Sequence, residues 1–587
     1  MKNRNEKRDV QHELLPFNRS KFLNDGQKIT YIGSGDIGGK ASGLADIHYL
    51  IHHKLDREAY PGIDVNIPTM TIIRTDVFDA FMKRNDLYDI AYKETSDERI
   101  AHAFQKASLP FEVLGDLRSL IAQVQTPLAV RSSSLLEDAR YEPFAGVYGT
   151  KMTQNNQPDT NARFNKLVEA IKFVYATTFF RSAKDYIRTT RHRTQDEKMA
   201  VIIQEVVGNR FSDRFYPELS GVARSHNYYT FGNADPADGI VNLALGLGKT
   251  IVDGGFTWSF SPAYPKADPP FNSIGDMLDN TQREFWCINM GKAPAYDPVK
   301  ETEYMFKFNI VEAEQDKTMK HLASTYDGES GRLMMGTSRP GARLLNFAPL
   351  LRLNDLPLVD LISDLMKLSE KELGVPVEIE FAMTFSEEGP HKFGFLQVRP
   401  MVVSVDEISL EEGEMSGEHV LVASDKVLGN GSSDNICDIV YLRKSAFEVL
   451  RTQEMRDEIE KINDILVREG KPYVLIGFGR WGTSDQTAGI PVNWGQISGT
   501  KAIVEASLAH VNFEQSQGSH FFHNVTGCGV FYFSVPFERT DSINWQWLDS
   551  LEAHNESRFI RHVRLTNPLL VKVDGRTGRG VIHKKNP

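Results

Sequence analysis

The chain has 587 residues, with 67 Lys and Arg against 78 Asp and Glu and a formal net charge of −11. Hydrophobic residues at 41% and charged residues at 25% exclude a collagen-like or wholly disordered chain, and the acidic balance argues against a general nucleic-acid binder. No run of about 18 uncharged apolar residues marks a membrane span, the charged start MKNRNEKRDVQHELL lacks the apolar region of a signal peptide, and Cys287, Cys437 and Cys528 fit a reducing cytoplasm without a disulfide framework.

Residues 1–28 read as a polar arm. Gly33-Ser34-Gly35-Asp36-Ile37-Gly38-Gly39-Lys40 follows, then a helical ASGLADIHYLIHHK. Glycines admit a ligand close to the backbone, consecutive N–H groups cradle phosphate oxygens, and the lysine adds a point charge. The other reading is a tight turn before a helix. Ala41 after the lysine rules out a Walker P-loop. From Pro127 a strand, PLAVRSS, brings Arg131 beside Ser132, Ser133 and Ser134. A guanidinium binds phosphate oxygens bidentately; the alternative is a surface pair with Glu137 or Asp138. Phe164, Leu167, Val168, Ile171, Val174 and Tyr175 recur at helical spacing, and MAVIIQEVV (199–207) reads as a buried strand.

Two strands, 377–383 and 393–403, flank a Gly389-Pro390 turn and predict a hairpin. Glu378 and Glu380 share one strand face, as do Gln397 and Arg399. If the strands pair, two carboxylates, an amide and a guanidinium meet. Such carboxylates hold Mg²⁺ beside nucleotide phosphates, and the arginine offsets charge on a transferring phosphoryl group. The alternative is a solvated face with cross-strand ion pairs. The acidic stretch 404–418 reads as a linker. Residues 419–587 form a C-terminal α/β region with a charged helix and a closing hairpin around Asp574-Gly575. Within it, Gly477-Phe478-Gly479-Arg480-Trp481-Gly482 reads as an anion or ring site, or as a tight turn with a packed tryptophan. Asn493-Trp494 and His520–Asn524 are candidates for the border of the same pocket.

The order and wording of these segments resemble the N-terminal ATP-binding domain of the phosphoenolpyruvate synthase and pyruvate phosphate dikinase family. Gly38-Gly39-Lys40 resembles its lysine loop, AVRSSSLLEDARYEPFAGVYGT its arginine motif, and IIQEVV its mid-domain strand. GVARSHN and GLGKTIVDG resemble its later strand and Gly-rich loop, and VEIEF and FLQVRPM its closing strands. The resemblance covers residues 30–403. It implies an α/β, ATP-grasp-like core over residues 29–403, in which two subdomains clamp ATP and Mg²⁺. Carried over, Gly38, Gly39, Lys40 and Arg131 meet the nucleotide with Gln204, Glu205, Gln397 and Arg399. Lys40, Arg131 and Arg399 act at the transferring phosphate, and Glu378 and Glu380 hold Mg²⁺. Lys249 stands where the family carries an acid after Gly-Leu-Gly. The family's phosphohistidine domain and its TIM barrel of about 250 residues do not both fit after residue 403. Gln517-Gly518-Ser519-His520-Phe521-Phe522-His523 is the nearest approach to the histidine signature, but bulky Phe follows the Ser-His, so His520 reads chiefly as a structural or surface histidine.

The sequence therefore predicts a cytoplasmic ATP-dependent phosphotransferase that passes a phosphoryl group to an unidentified acceptor: a small molecule, water, or a histidine on this chain or on a separate phosphohistidine-carrying protein. The alternative is a catalytically silent ATP sensor or scaffold acting through its C-terminal region. Arg480, Trp481, His520 and His523 form a candidate second site. No nucleic-acid or membrane partner is expected, and the oligomeric state is open.

Overall fold

The structure, a computed structural model, describes residues 14–22, 28–137, 146–188, 190, 192–267, 269, 271, 273–353, 356–401, 410–483, 489–507, 520–536, 539, 542–575 and 577–584. Asp138, Phe144, Ala145, most of the acidic linker, Gln517–Ser519 and Arg576 lie outside them. Helix α1 (Gly39–His53) buries Ala41, Leu44, Ala45, Ile47, Leu50 and Ile51, the spacing of one helical face. Strand β1 (Leu128–Ser134), helix α2 (Thr160–Thr177) and strand β2 (Met199–Glu205) follow. The two strands pair antiparallel inside a six-stranded sheet, with Ala129 opposite Gln204. Both are buried along nearly their whole length, because α1 and α2 pack on β1 and no face is left to water.

A second six-stranded sheet contains β3 (Leu219–Arg224), β4 (Val377–Thr384) and β5 (His391–Pro400), in that lateral order. The predicted hairpin is β4–β5. Its register sets Glu378 opposite Arg399 and Glu380 opposite Gln397, with a bulge between Glu380 and Phe381. The alternation puts Val377, Ile379 and Phe381 in the apolar core. Helix α1 also packs on β5, so it is wedged between the two sheets and its N-terminus lies where they meet.

The C-terminal region forms a nine-stranded sheet among the described residues. At its centre β6 (Gly431–Leu442), β7 (Tyr473–Phe478), β8 (Thr500–Ala506) and β9 (Phe531–Val535) run parallel. Helix α3 (Thr452–Arg468) connects β6 to β7, and helix α4 (His520–Gly527) lies between β8 and β9. The Ile560–Asp574 and Arg579–His583 strands make the closing hairpin. One apolar cluster runs from Phe78, Tyr175 and Tyr186 beside the first sheet to Trp494, Val525 and Phe533. No helix among the described residues is long and apolar enough to cross a membrane.

Candidate nucleotide-binding site

The N-terminus of α1 is pressed onto the end of β1. A Cβ at Gly38, whose φ is +76°, would lie 1.8 Å from the Ser133 carbonyl oxygen, and one at Gly39 would lie 1.8 Å from that of Glu137. Only glycine lets the backbones approach so closely. Lys40, in the first turn, donates to Glu137 Oε1 at 2.7 Å and to Ser132 Oγ at 3.2 Å. Glu137 is 1% exposed and also accepts from Ser132 Oγ and the Ser134 backbone N–H. The partner of Glu137 is thus Lys40 and not Arg131, because Arg131 and Ser132 leave β1 on opposite faces.

Arg131 reaches across to the second sheet. Nη1 donates to the Leu396 carbonyl oxygen at 2.8 Å and to Gln204 Oε1 at 3.2 Å. Nη2 donates to Gln397 Oε1 at 2.6 Å and lies 4.0 Å from Glu380 Oε2. Arg399 spans the acidic pair, with Nη2 2.8 Å from Glu380 Oε1 and Nε 3.7 Å from Glu378 Oε1. Arg131, Gln204, Glu380, Gln397 and Arg399 therefore meet between the two sheets, while Lys40, in the first turn of α1, is held by Glu137 and Ser132. Glu205 does not join them. It follows Gln204 on β2, so it turns to the other face and accepts from Thr126 Oγ1 at 2.6 Å.

This glycine, lysine and twin-arginine junction lies inside a stretch that matches a known family. The chain belongs to the family described as pyruvate phosphate dikinase, AMP/ATP-binding domain, whose match spans residues 34–418. No curated protein matches the chain. Membership in the dikinase family carries ATP binding and phosphotransfer-type chemistry at the coarse level, and the mixed α/β sheets agree with an ATP-grasp-like nucleotide-binding core.

Glu378 and Glu380 differ in their surroundings. Instead of standing on a solvated face, Glu378 is 2% exposed. Its Oε2 accepts from Arg224 Nε at 2.6 Å and lies 2.6 Å from His523 Nε2, and Arg399 flanks Oε1. Burial alone would raise its pKa; His523, Arg224 and Arg399 outweigh that and hold the carboxyl far below the usual range. A carboxylate so compensated offers a metal little charge. The two carboxylates expected to hold Mg²⁺ thus stand in different surroundings. Glu380, with a side chain 17% exposed, is the better donor for an ion shared with phosphates. Among the described residues no group of three or more His, Cys, Asp or Glu side chains could hold a metal by itself.

Arg224 and His523 entered no sequence argument about the acidic pair. Arg224 ends β3 directly opposite Glu378, and its place at the end of an apolar strand, as in AVR, was the available signal. His523 comes from α4, and the neighbouring Phe522 ring lies 4.9 Å from the Arg224 guanidinium. His520, at the start of α4, lies so close to Gly146 that a Cβ there would be 2.7 Å from its ring. Its side chain is half-buried. Burial lowers its pKa well below the ordinary value, and Arg399, His523 and Lys40 add to the shift against Glu378. Arg480 and Trp481 line a pocket with Phe521, Phe522 and Val525 of α4. Arg480 donates to the Gly254 carbonyl at 2.9 Å. Trp481 is 4% exposed, with its ring packed over Gly477. Lys249 pairs with Asp253 at 3.1 Å one helical turn away.

Proposed function

We propose that this protein is an ATP-dependent phosphotransferase whose phosphate end is formed by Gly38, Gly39, Lys40, Arg131, Gln397 and Arg399. The observation that carries the reading is that Arg131 from β1 and Arg399 from β5 come to the same carboxylate, Glu380, in a dikinase-family domain. Lys40 and Arg131 would exchange their present partners for phosphate oxygens. Arg399 would counter the charge that develops on the transferring group, where fixed donors act most strongly. Mg²⁺ riding on the phosphates would meet Glu380 and supply charge neutralisation. The acceptor is a small molecule, water, or a histidine on this or another chain.

Thermal unfolding with Mg·ATP tests the reading. Ligand at about 100 times its Kd should add roughly 2.7 kcal/mol, and ATP without a divalent ion should add less. An unchanged Tm at millimolar Mg·ATP would remove the nucleotide site. The sensor reading keeps one specific support. His523 and Phe522 tie Glu378 and Arg224 to the C-terminal region, so a change at the acidic pair would be felt there without turnover.

A further inference from the structure

His520 belongs to two places at once. It stands on α4 three residues before His523, whose Nε2 lies 2.6 Å from Glu378 Oε2, and it also lines a cavity of about 280 Å³ with Tyr186, Asp253, Asn493, Trp494 and Asn524. We propose that this cavity binds the phosphoryl acceptor, that the acceptor is a small neutral molecule carrying a hydroxyl group, and that His520 takes the hydroxyl proton. The inference rests on the phosphotransferase reading and deepens it.

Three observations support it. The cavity is slightly smaller than the roughly 300–1,000 Å³ of ordinary ligand pockets, so it suits a compact metabolite. Two buried polar atoms on its lining residues, His520 Nδ1 and Trp494 Nε1, have no hydrogen-bond partner among the described residues. Buried polar groups ordinarily find partners, and one hydroxyl can donate to an imidazole while accepting from an indole N–H. The charged lining residue, Asp253, is paired with Lys249 at 3.1 Å. The walls thus present no uncompensated charge, which favours a neutral ligand.

The chemistry balances with ATP as the donor. The acceptor oxygen forms a bond to the transferring phosphorus while the bond from that phosphorus to the departing nucleotide oxygen breaks, and the nucleotide leaves with the electron pair. The hydroxyl proton passes to the unprotonated nitrogen of His520. Burial and the neighbouring cations keep the ring neutral, which leaves one nitrogen unprotonated to take the proton as the bond to phosphorus forms. The imidazolium then returns its proton to water.

The test uses the full chain, Mg·ATP labelled on the β and γ phosphates, and molar glycerol as a generic hydroxyl probe. Wild type should transfer label to glycerol. His520→Gln should lower that transfer by about a hundredfold or more while its Mg·ATP melting shift stays at the wild-type value. Trp494→Phe should raise the KM for glycerol with kcat nearly unchanged, a split that a merely structural role would not produce. Three results overturn the inference but leave the nucleotide reading standing: no labelled glycerol from a wild type that binds Mg·ATP, undiminished transfer in His520→Gln, or acid-labile label on His520 itself. A wild type with no Mg·ATP melting shift overturns both.

Discussion

Arg399 is 3% exposed and stands between two carboxylates, one of them the buried Glu378. A solvated strand-face arginine would add little to stability, but this one compensates a charge that water does not reach. Arg399→Ala should therefore lower stability by about 3–5 kcal/mol, the cost of breaking a buried pair from one side, as well as turnover. Chemical denaturation of the apo protein checks the first part. A wild-type midpoint in the alanine variant would show that Arg224 and His523 suffice alone. Arg399→Lys should restore part of the stability and less of the rate, since lysine keeps the charge but loses the fork. The pairing of Glu378 with Arg399 was legible in the sequence because strand alternation and one turn fix it. The burial was not. It comes from Arg224 and His523, whose distance along the chain leaves no local pattern.

At the scale of elements, the α1 N-terminus is set by backbone contact. Gly38→Ala faces both a φ of +76° and a carbonyl oxygen 1.8 Å away, whereas Gly374, at φ +67°, has nothing within 4 Å of its added Cβ. Gly374→Ala should cost about 1–2 kcal/mol for the left-handed backbone alone. Gly38→Ala should cost more and abolish Mg·ATP binding. Equal midpoints for the two variants would mean that the α1–β1 contact yields freely. The helix and its glycines were readable from apolar spacing and motif. The closeness of Ser133 was not, since it depends on how α1 wedges between the sheets.

The end of β8 makes a second statement at this scale. Glu505 accepts from the Tyr532 hydroxyl, and burial pushes its pKa up from 4.5 to about 7. Between those two values the folded state binds more protons than the unfolded chain, so stability falls as pH rises from about 4.5 to 7 and stays low above. Glu505→Gln keeps an acceptor for Tyr532 and removes the titration. Its Tm should fall less than that of wild type as pH rises through this window. Parallel profiles for the two proteins would show that Glu505 titrates normally. Glu378 has the opposite sign. Its depressed pKa contributes stability that is present above 4.5 and lost as acid protonates it.

Across the whole molecule, the nucleotide-binding core and the C-terminal sheet share one apolar cluster, and α4 carries His520, Phe522 and His523 to the acidic pair and its arginines. His523→Ala should leave Glu378 its two arginines but untie α4 from it. Hydrogen exchange over 520–527 should then quicken, and unchanged protection would mean that the apolar packing of Phe522 and Val525 alone holds the helix. The central claim is that the junction of Lys40, Arg131 and Arg399 moves a phosphoryl group. Its most direct test is the fate of ATP labelled at the β and γ phosphates, incubated with Mg²⁺ and either wild type or Arg131→Ala, whose loss leaves Glu380 still paired with Arg399. The account predicts label leaving ATP in wild type and a rate lower by about a hundredfold or more in the variant. Label that stays on ATP in a wild type saturated with Mg·ATP, or equal rates in the two proteins, would contradict it.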